Sequence, residues 1–148
     1  MLRALSGLQV DRVWLDIEQG STYWRGEQFN RDFVSRLISA GGNFPLGVYA
    51  NWNSWREIMG RGFHQAMSLP LWYPHYQTSG QTFSDFQRFG GWTGPVARQF
   101  SESGRSCGIG FDVNWTPDLS VFLGGNRGGG SSQNPTPRPT PRPTPRPT

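Results

Sequence analysis

Between residues 13 and 18 the chain alternates: Val13, Leu15 and Ile17 are apolar, and Trp14, Asp16 and Glu18 stand between and after them. The run is short, partly β-branched and followed by Gln19-Gly20-Ser21. It predicts a strand with Asp16 and Glu18 leaving on one face and the aliphatic residues on the other. The period then changes. From Thr22 to Ala40, Phe29, Phe33, Val34, Leu37 and Ile38 recur at helical spacing and predict an amphipathic helix, stopped by Gly41-Gly42. Leu46 to Ala50 predicts a second strand. Asn53 or Ser54 is placed to cap a short helix through Met59, with Gly60 closing it. Leu69 to Tyr76 predicts a third strand, irregular or at an edge because Pro70 and Pro74 lack N–H donors. Ser84 to Phe89 predicts a helical turn, and Val96 to Phe100 and Ile109 to Trp115 predict two more strands. At the start, Leu2, Leu5 and Leu8 predict a short helix over Met1 to Leu8. Strands spaced by helices predict a parallel sheet or barrel.

The strongest chemical signal is the Asp16-x-Glu18 pair. Two carboxylates roughly 7 Å apart on one face of a strand do not ionise independently, and the more buried one keeps its proton to higher pH. A proton donor beside a charge stabiliser is what glycosidic bond cleavage requires. The alternative is an acidic strand end on a solvated rim. On the last predicted strand, Gly110, Asp112 and Asn114 alternate with Phe111 and Val113. The first three are expected to face the interior and to bring Asp112 to the other two carboxylates. An acidic activity optimum is the expected consequence.

Composition narrows the class. The chain has 148 residues, 34% hydrophobic, with aromatics at 14%, including seven Trp and ten Phe. Rings in that number suit both a core and a sugar-stacking groove. All fourteen basic residues are arginines; three of them, Arg138, Arg142 and Arg146, stand in the terminal repeat, leaving eleven against ten acids. The balance excludes a nucleic-acid footprint. Cys107 is the single cysteine and either a buried thiol or one whose partner lies elsewhere. His64 and His75 lack metal-ligand spacing and read as hydrogen-bonded structural residues, so no metal or other cofactor is expected. No run is apolar and long enough for a membrane span, and Met1 to Val10 lacks the pattern of a signal peptide. Two regions follow. Residues 1–123 carry the folded domain. Residues 124–148 are Gly/Ser-rich and then repeat Pro-Thr-Pro-Arg, which predicts a disordered linker or tail of polyproline II character.

Several blocks together resemble a family. Trp14-Leu15-Asp16-Ile17-Glu18, Gly47-Val48-Tyr49-Ala50 and Trp55-Arg56-Glu57-Ile58-Met59-Gly60 come first. Leu71-Trp72-Tyr73-Pro74-His75-Tyr76, Phe83-Ser84-Asp85-Phe86 and Phe89-Gly90-Gly91-Trp92 follow. Arg98-Gln99-Phe100, Cys107-Gly108 and Phe111-Asp112-Val113-Asn114-Trp115 complete the series. Their order and spacing resemble glycoside hydrolase family 25 lysozymes, in the animal and protist branch, over about Met1 to Trp115.

The resemblance implies a (β/α) barrel hydrolase that cleaves the β-1,4 bond between N-acetylmuramic acid and N-acetylglucosamine in peptidoglycan. It implies Glu18 as general acid, Asp16 as its neighbouring carboxylate and Asp112 as the acid on the last barrel strand. Tyr49, Trp72 and Gln99 match positions near the substrate groove. The implied partner is the bacterial glycan strand, with no nucleic acid and no membrane, and the implied state is a monomer, extracellular or phagolysosomal. The family places the Asp16 strand after three strand–helix units, one of which carries a further active-site aspartate. Here fewer than 20 residues precede Glu18, whereas such barrels need roughly 200–250 residues. The expected architecture is therefore α/β, a partial (β/α) TIM-like barrel made of C-terminal strands only. It would arise from an incomplete gene model or a shortened copy, with little activity alone.

Two alternatives stay open. An inactive glycan-binding pseudoenzyme would keep Tyr49, Trp72 and Trp92 as stacking rings. A family 18, chitinase-like hydrolase would use Asp11, Asp16 and Glu18, but Trp14 stands where that signature needs an aspartate and Arg12 where it prefers glycine.

Overall fold

A computed structural model of the protein describes residues 10–19, 22–42, 44–76 and 81–124. The expected helix over Met1–Leu8 and the tail beyond Gly124 lie outside the described residues. Four strands, β1 (Val13–Asp16), β2 (Leu46–Tyr49), β3 (Leu71–Pro74) and β4 (Ala97–Ser106), lie parallel in that order. Helix α1 (Glu27–Ala40) joins β1 to β2, and α2 (Trp52–Ile58) opens the passage from β2 to β3. Strand β5 (Ile109–Trp115) then pairs antiparallel with β4, and α3 (Leu119–Leu123) follows. The result is a curled five-stranded part of an α/β barrel.

Alternation in β1 sorts its side chains as expected. Leu15 and Ile17 are buried in a core with Val34, Val48, Trp55, Met59, Leu71 and Tyr73. On the other, concave face, the ring of Trp14 stacks on Phe122 of α3 at 5.0 Å and meets Trp72 edge-on at 5.6 Å. Helix α3 was not foreseen. It is held by Arg12, whose guanidinium donates to the carbonyls of Val121, Phe122 and Leu46. Gly47 lies directly under Trp14: a Cβ there would come within 2.4 Å of the indole ring. Trp14 is already packed against two rings and has little room to yield. Gly47→Ala is therefore expected to cost about 1–3 kcal/mol, read as a lower midpoint in urea unfolding.

Several expectations are corrected. Helix α1 starts at Glu27, not Thr22, because Gly26 has φ 142° and the preceding segment folds back on β1, where the Trp24 indole N–H donates to the Glu18 carbonyl. Its buried line is Asn30 and Val34, with Leu37 and Ile38 half-buried, while Phe29 and Phe33 are exposed. The polar Asn30 takes a core-facing position because its amide donates to the Ile58 carbonyl and its oxygen accepts from the Arg25 N–H. That ties the start of α1 to the end of α2. Phe33 instead walls a groove of about 720 Å³ along β1, with Trp14, Trp24 and Leu37.

The cap of α2 is Asn51, whose side chain accepts from the Ser54 N–H at 2.9 Å, rather than Asn53 or Ser54. Strand β3 is interior, not an edge. Its prolines do no harm because the ladder needs no N–H from them: Val48 N–H reaches the Pro70 carbonyl, Ala50 N–H the Trp72 carbonyl, and His75 N–H the Gln99 carbonyl. The sheet is not wholly parallel, since β4 runs on to Ser106 and turns into β5 through Cys107 and Gly108. Both have positive φ, 51° and 78°, the type I′ geometry of a two-residue hairpin. Cys107 at that turn is exposed, not buried.

Candidate active site

The carboxylates gather where the parallel strands end. Asp16 closes β1, and the Ile17 N–H still donates to the Tyr49 carbonyl, so the β1–β2 ladder runs almost to Glu18. Asp16 stands level with Tyr49, Tyr49 with Trp72, and Pro74 with Gln99. Across the sheet, Gln99 of β4 pairs with Asn114 of β5, which places Asp112 beside it. Sequence reasoning thus singled out residues from all five strands, and the pairing brings them toward one end of the sheet.

Gln99 connects them. Its side-chain oxygen accepts from the Tyr49 hydroxyl at 2.7 Å and the Tyr76 hydroxyl at 2.5 Å, and its amide donates to Asp112 Oδ2 at 3.1 Å. Two donors on the oxygen fix which way the amide points. Gln99 is 5% exposed, so this orientation is set inside the protein rather than by solvent. Trp72 is positioned too: its indole N–H donates to Asn114 Oδ1 at 3.0 Å and its ring meets Tyr49 edge-on at 4.9 Å.

Burial moves Glu18 and Asp16 in the same direction. Burial raises the Glu18 carboxyl above its ordinary value, and the Asp16 charge raises it further. The Tyr49 hydroxyl pulls the other way, with smaller upward contributions from Glu102 and Asp112. Burial also raises Asp16. The Tyr49 phenol is pushed upward by burial and then by the Glu18 charge, so it stays a hydrogen-bond donor at any physiological pH. Tyr76 shifts in the same direction, again chiefly through burial. Burial and the Asp16 charge thus make the Glu18 carboxyl hold its proton more tightly than free glutamate does.

The raised Glu18 carboxyl has a consequence for stability. A carboxyl with a raised folded-state pKa favours folding while protonated and loses that contribution as pH rises through the folded value. Glu18→Gln removes the titration. Its melting temperature should exceed the parent's at pH 7, and the gap should narrow as pH falls through the raised folded value and close by the ordinary glutamate value of 4.5. Thermal melts of both proteins across pH 3–8 check this.

Two members of the cluster were missed. Tyr76 lies beyond the end of β3, and Glu102 lies in β4 where the pairing shifts register between Ser101 and Gly104. A bulge re-aims side chains and breaks simple alternation. The signal for it was the Cys107-Gly108 turn, which implies a hairpin whose β4 arm continues past Phe100. Trp92, expected as a possible stacking ring, is 4% exposed and donates its indole N–H to the Leu69 carbonyl, so it is core. His75 is structural: its Nδ1 lies 2.7 Å from Asp85 Oδ2. Among the described residues no group of three or more His, Cys, Asp or Glu is placed to hold a metal ion, and no helix is long and apolar enough to cross a membrane.

A curled part of an α/β barrel with carboxylates gathered at its strand ends defines the class of fold and site to compare. Residues 2–100 match the family described as Lysozyme-like protein 1. The chain is 42% identical over 121 residues to a protein of Dictyostelium discoideum named Probable GH family 25 lysozyme 2, covering 79% of this chain and 56% of that one. Among solved structures, the CTP1L endolysin matches with a TM-score of 0.60 at 24% identity, over 82% of this chain and 41% of its own. A muramidase from Acremonium alcalophilum matches with a TM-score of 0.57 at 19% identity, over 74% of this chain and 52% of its own. These two establish the likeness of fold. The chain belongs to the lysozyme-like proteins of glycoside hydrolase family 25. It spans about half the length of the curated relatives it matches.

Proposed function

We propose that the protein is a muramidase that hydrolyses the β-1,4 bond between N-acetylmuramic acid and N-acetylglucosamine in bacterial peptidoglycan. Glu18 donates its proton to the leaving oxygen. Asp16 stabilises the positive charge that develops on the sugar, and Asp112, held by Gln99, adds negative potential from across the sheet. Tyr49, Trp72 and Gln99 form the wall against which the glycan lies. The reading implies action outside the cell or in a phagolysosome, in defence against bacteria or their digestion. The observation that carries it is the Glu18 carboxyl, raised by burial and by Asp16, on a face it shares with Asp112. The lysozyme names of its relatives favour peptidoglycan over other glycans.

The test is chemical. Purified peptidoglycan is incubated with the protein, and the new reducing ends are reduced with borohydride and identified. Reduced N-acetylmuramic acid supports the proposal. Reduced N-acetylglucosamine, or hydrolysis of chitin alone, overturns the bond assignment. Retention on pelleted peptidoglycan with no new ends would mean a glycan-binding protein instead.

A further inference from the structure

Beyond the carboxylates, a cleft of about 500 Å³ opens past the end of β3, between the start of α2 and Gln87. That is a usual size for a small-molecule site. Among the described residues, none that lines it carries a carboxylate or a guanidinium. It offers rings and uncharged polar groups instead. Tyr76 belongs both to the cleft and to the cluster around Gln99: its hydroxyl donates to the Gln99 oxygen while the residue lines the cleft. A chain lying along Tyr49, Trp72 and Gln99 can therefore continue over Tyr76 into the cleft.

Several of its groups are held from their other side. The Asn51 side-chain oxygen accepts from the Ser54 N–H, which leaves the amide nitrogen of Asn51 to donate. The Asp85 carboxylate accepts, so the His75 ring gives it the Nδ1 proton at 2.7 Å, and Nε2 is the nitrogen left for a ligand. Trp52 is steadied by Arg56, whose guanidinium carbon lies 4.4 Å from the ring centre. Tyr73 is 4% exposed and packs edge-on against Phe86 at 5.1 Å, yet its hydroxyl bonds to nothing among the described residues. There, the one side-chain polar atom both fully buried and unpaired is Trp55 Nε1, so the Tyr73 hydroxyl keeps open surface, in the cleft that Tyr73 lines. A polar group so enclosed is nearly always paired, and an unpaired one at the base of a cleft marks the place of a ligand atom.

We propose that this cleft binds an N-acetylated amino sugar, a unit of the glycan beyond the two joined by the bond that is cut. Its base sets one hydroxyl in an apolar floor made by the Tyr73 ring and the buried Pro74. That pairing suits a group with one carbonyl and one methyl, which is the acetamido group. The Tyr73 hydroxyl donates to the carbonyl, and the methyl rests on the floor. Asn51, Asn53 and Gln87 meet the sugar hydroxyls, and the Trp52 and Tyr76 rings meet the apolar face of the pyranose. A stem peptide fits less well, because its carboxylates would find no arginine among the described lining residues. That the polymer is peptidoglycan rests on the muramidase reading, whereas recognition of an acetamido sugar is tested without hydrolysis.

The test uses the full 148-residue chain labelled with ¹³C and ¹⁵N, with side-chain resonances assigned by triple-resonance methods. N-acetylglucosamine and glucose are titrated separately at pH 7. Saturable shifts of the Trp52 indole and of the Asn53 and Gln87 amides are expected with N-acetylglucosamine, with about tenfold weaker affinity for glucose. Tyr73→Phe removes a hydroxyl that holds no other group. Its melting temperature should match the parent's, while N-acetylglucosamine binds about tenfold more weakly, the loss of one hydrogen bond. Gln87→Ala alters an exposed residue, should weaken binding about threefold, and decides the matter if Tyr73→Phe does not fold. Equal binding of the two sugars, unchanged binding in Tyr73→Phe, or shifts confined to the Trp72 indole would overturn the proposal. So would tighter binding of an acidic dipeptide such as alanyl-glutamate, which would make the cleft a site for the stem peptide. The hydrolytic reading fails separately. Shifts at the cleft without new reducing ends from peptidoglycan would keep the sugar site and remove the muramidase; new ends without a shift at Trp52 would do the reverse.

Discussion

Glu18→Gln should lower peptidoglycan hydrolysis by about 10²–10⁴-fold, the usual contribution of a positioned general acid. Glutamine keeps the shape of the side chain but has no acidic proton to give. Asp16→Asn should lower the rate less, because it removes a stabilising charge and leaves the proton donor in place. The two variants also differ in pH dependence. Without the Asp16 charge, the Glu18 carboxyl should titrate lower, so the basic limb of the rate profile should move to lower pH in Asp16→Asn. Rates measured by release of reducing ends check both statements. If the 148-residue chain turns over too slowly to measure, it can be joined to the N-terminal half of a family 25 lysozyme. Near-normal turnover in Glu18→Gln would remove Glu18 from the chemistry.

The second large effect concerns folding. Arg98 is fully buried, and its donors are all used: two reach the His75 carbonyl, one the Thr82 carbonyl, and two the Asp85 carboxylate at 2.8 and 2.9 Å. The charge is there because it ties the β3 end, the 82–85 turn and β4 together. Asp85→Ala would leave the guanidinium buried without its carboxylate, at a cost of about 3–5 kcal/mol. The same pair sets an acid limit. Burial by itself would raise the Asp85 carboxyl, but the bonds from Arg98 and His75 outweigh it and hold the group below its ordinary value. A depressed carboxyl contributes stability that is fully present above the unfolded value of about 3.9 and is lost as pH falls through the folded value. Urea unfolding at pH 7 should show the loss in Asp85→Ala. The difference between parent and variant should shrink below about pH 4.

What could be read in advance followed from periodicity. Alternation in Val13–Glu18 fixed the faces of β1, and so the shared direction of Asp16 and Glu18, because an edge or an interior strand alternates alike. Likewise, alternation in β5 put Asp112 on the inner face. What could not be read depended on partners distant in sequence. Asn30 faces the core only because a carbonyl of α2 waits there for its amide. Phe29 and Phe33 have strong apolar character, yet the helix turns them away from the main core. The antiparallel hairpin was hidden by a cysteine in a position where asparagine or aspartate usually announces the turn. Glu102 escaped because a bulge interrupts the register that reveals such residues.

The order of pairing along the sheet also bears on how the site is assembled in time. Strands β4 and β5 meet across a two-residue turn, so Ser106 and Ile109 need close only a minimal loop. Strand β1 reaches β2 only after α1 has been traversed, with Val13 opposite Leu46. Loop closure costs entropy before contacts repay it, and distant pairings are reached more slowly than local ones. The hairpin that carries Gln99 and Asp112 can therefore form early, through local encounters. The strand that carries Asp16 and Glu18 must wait for a longer search. A refolding chain would hold the Gln99–Asp112 side of the proposed site before Asp16 and Glu18 arrive, so the burial that raises Glu18 would lag behind the first gain of β-structure.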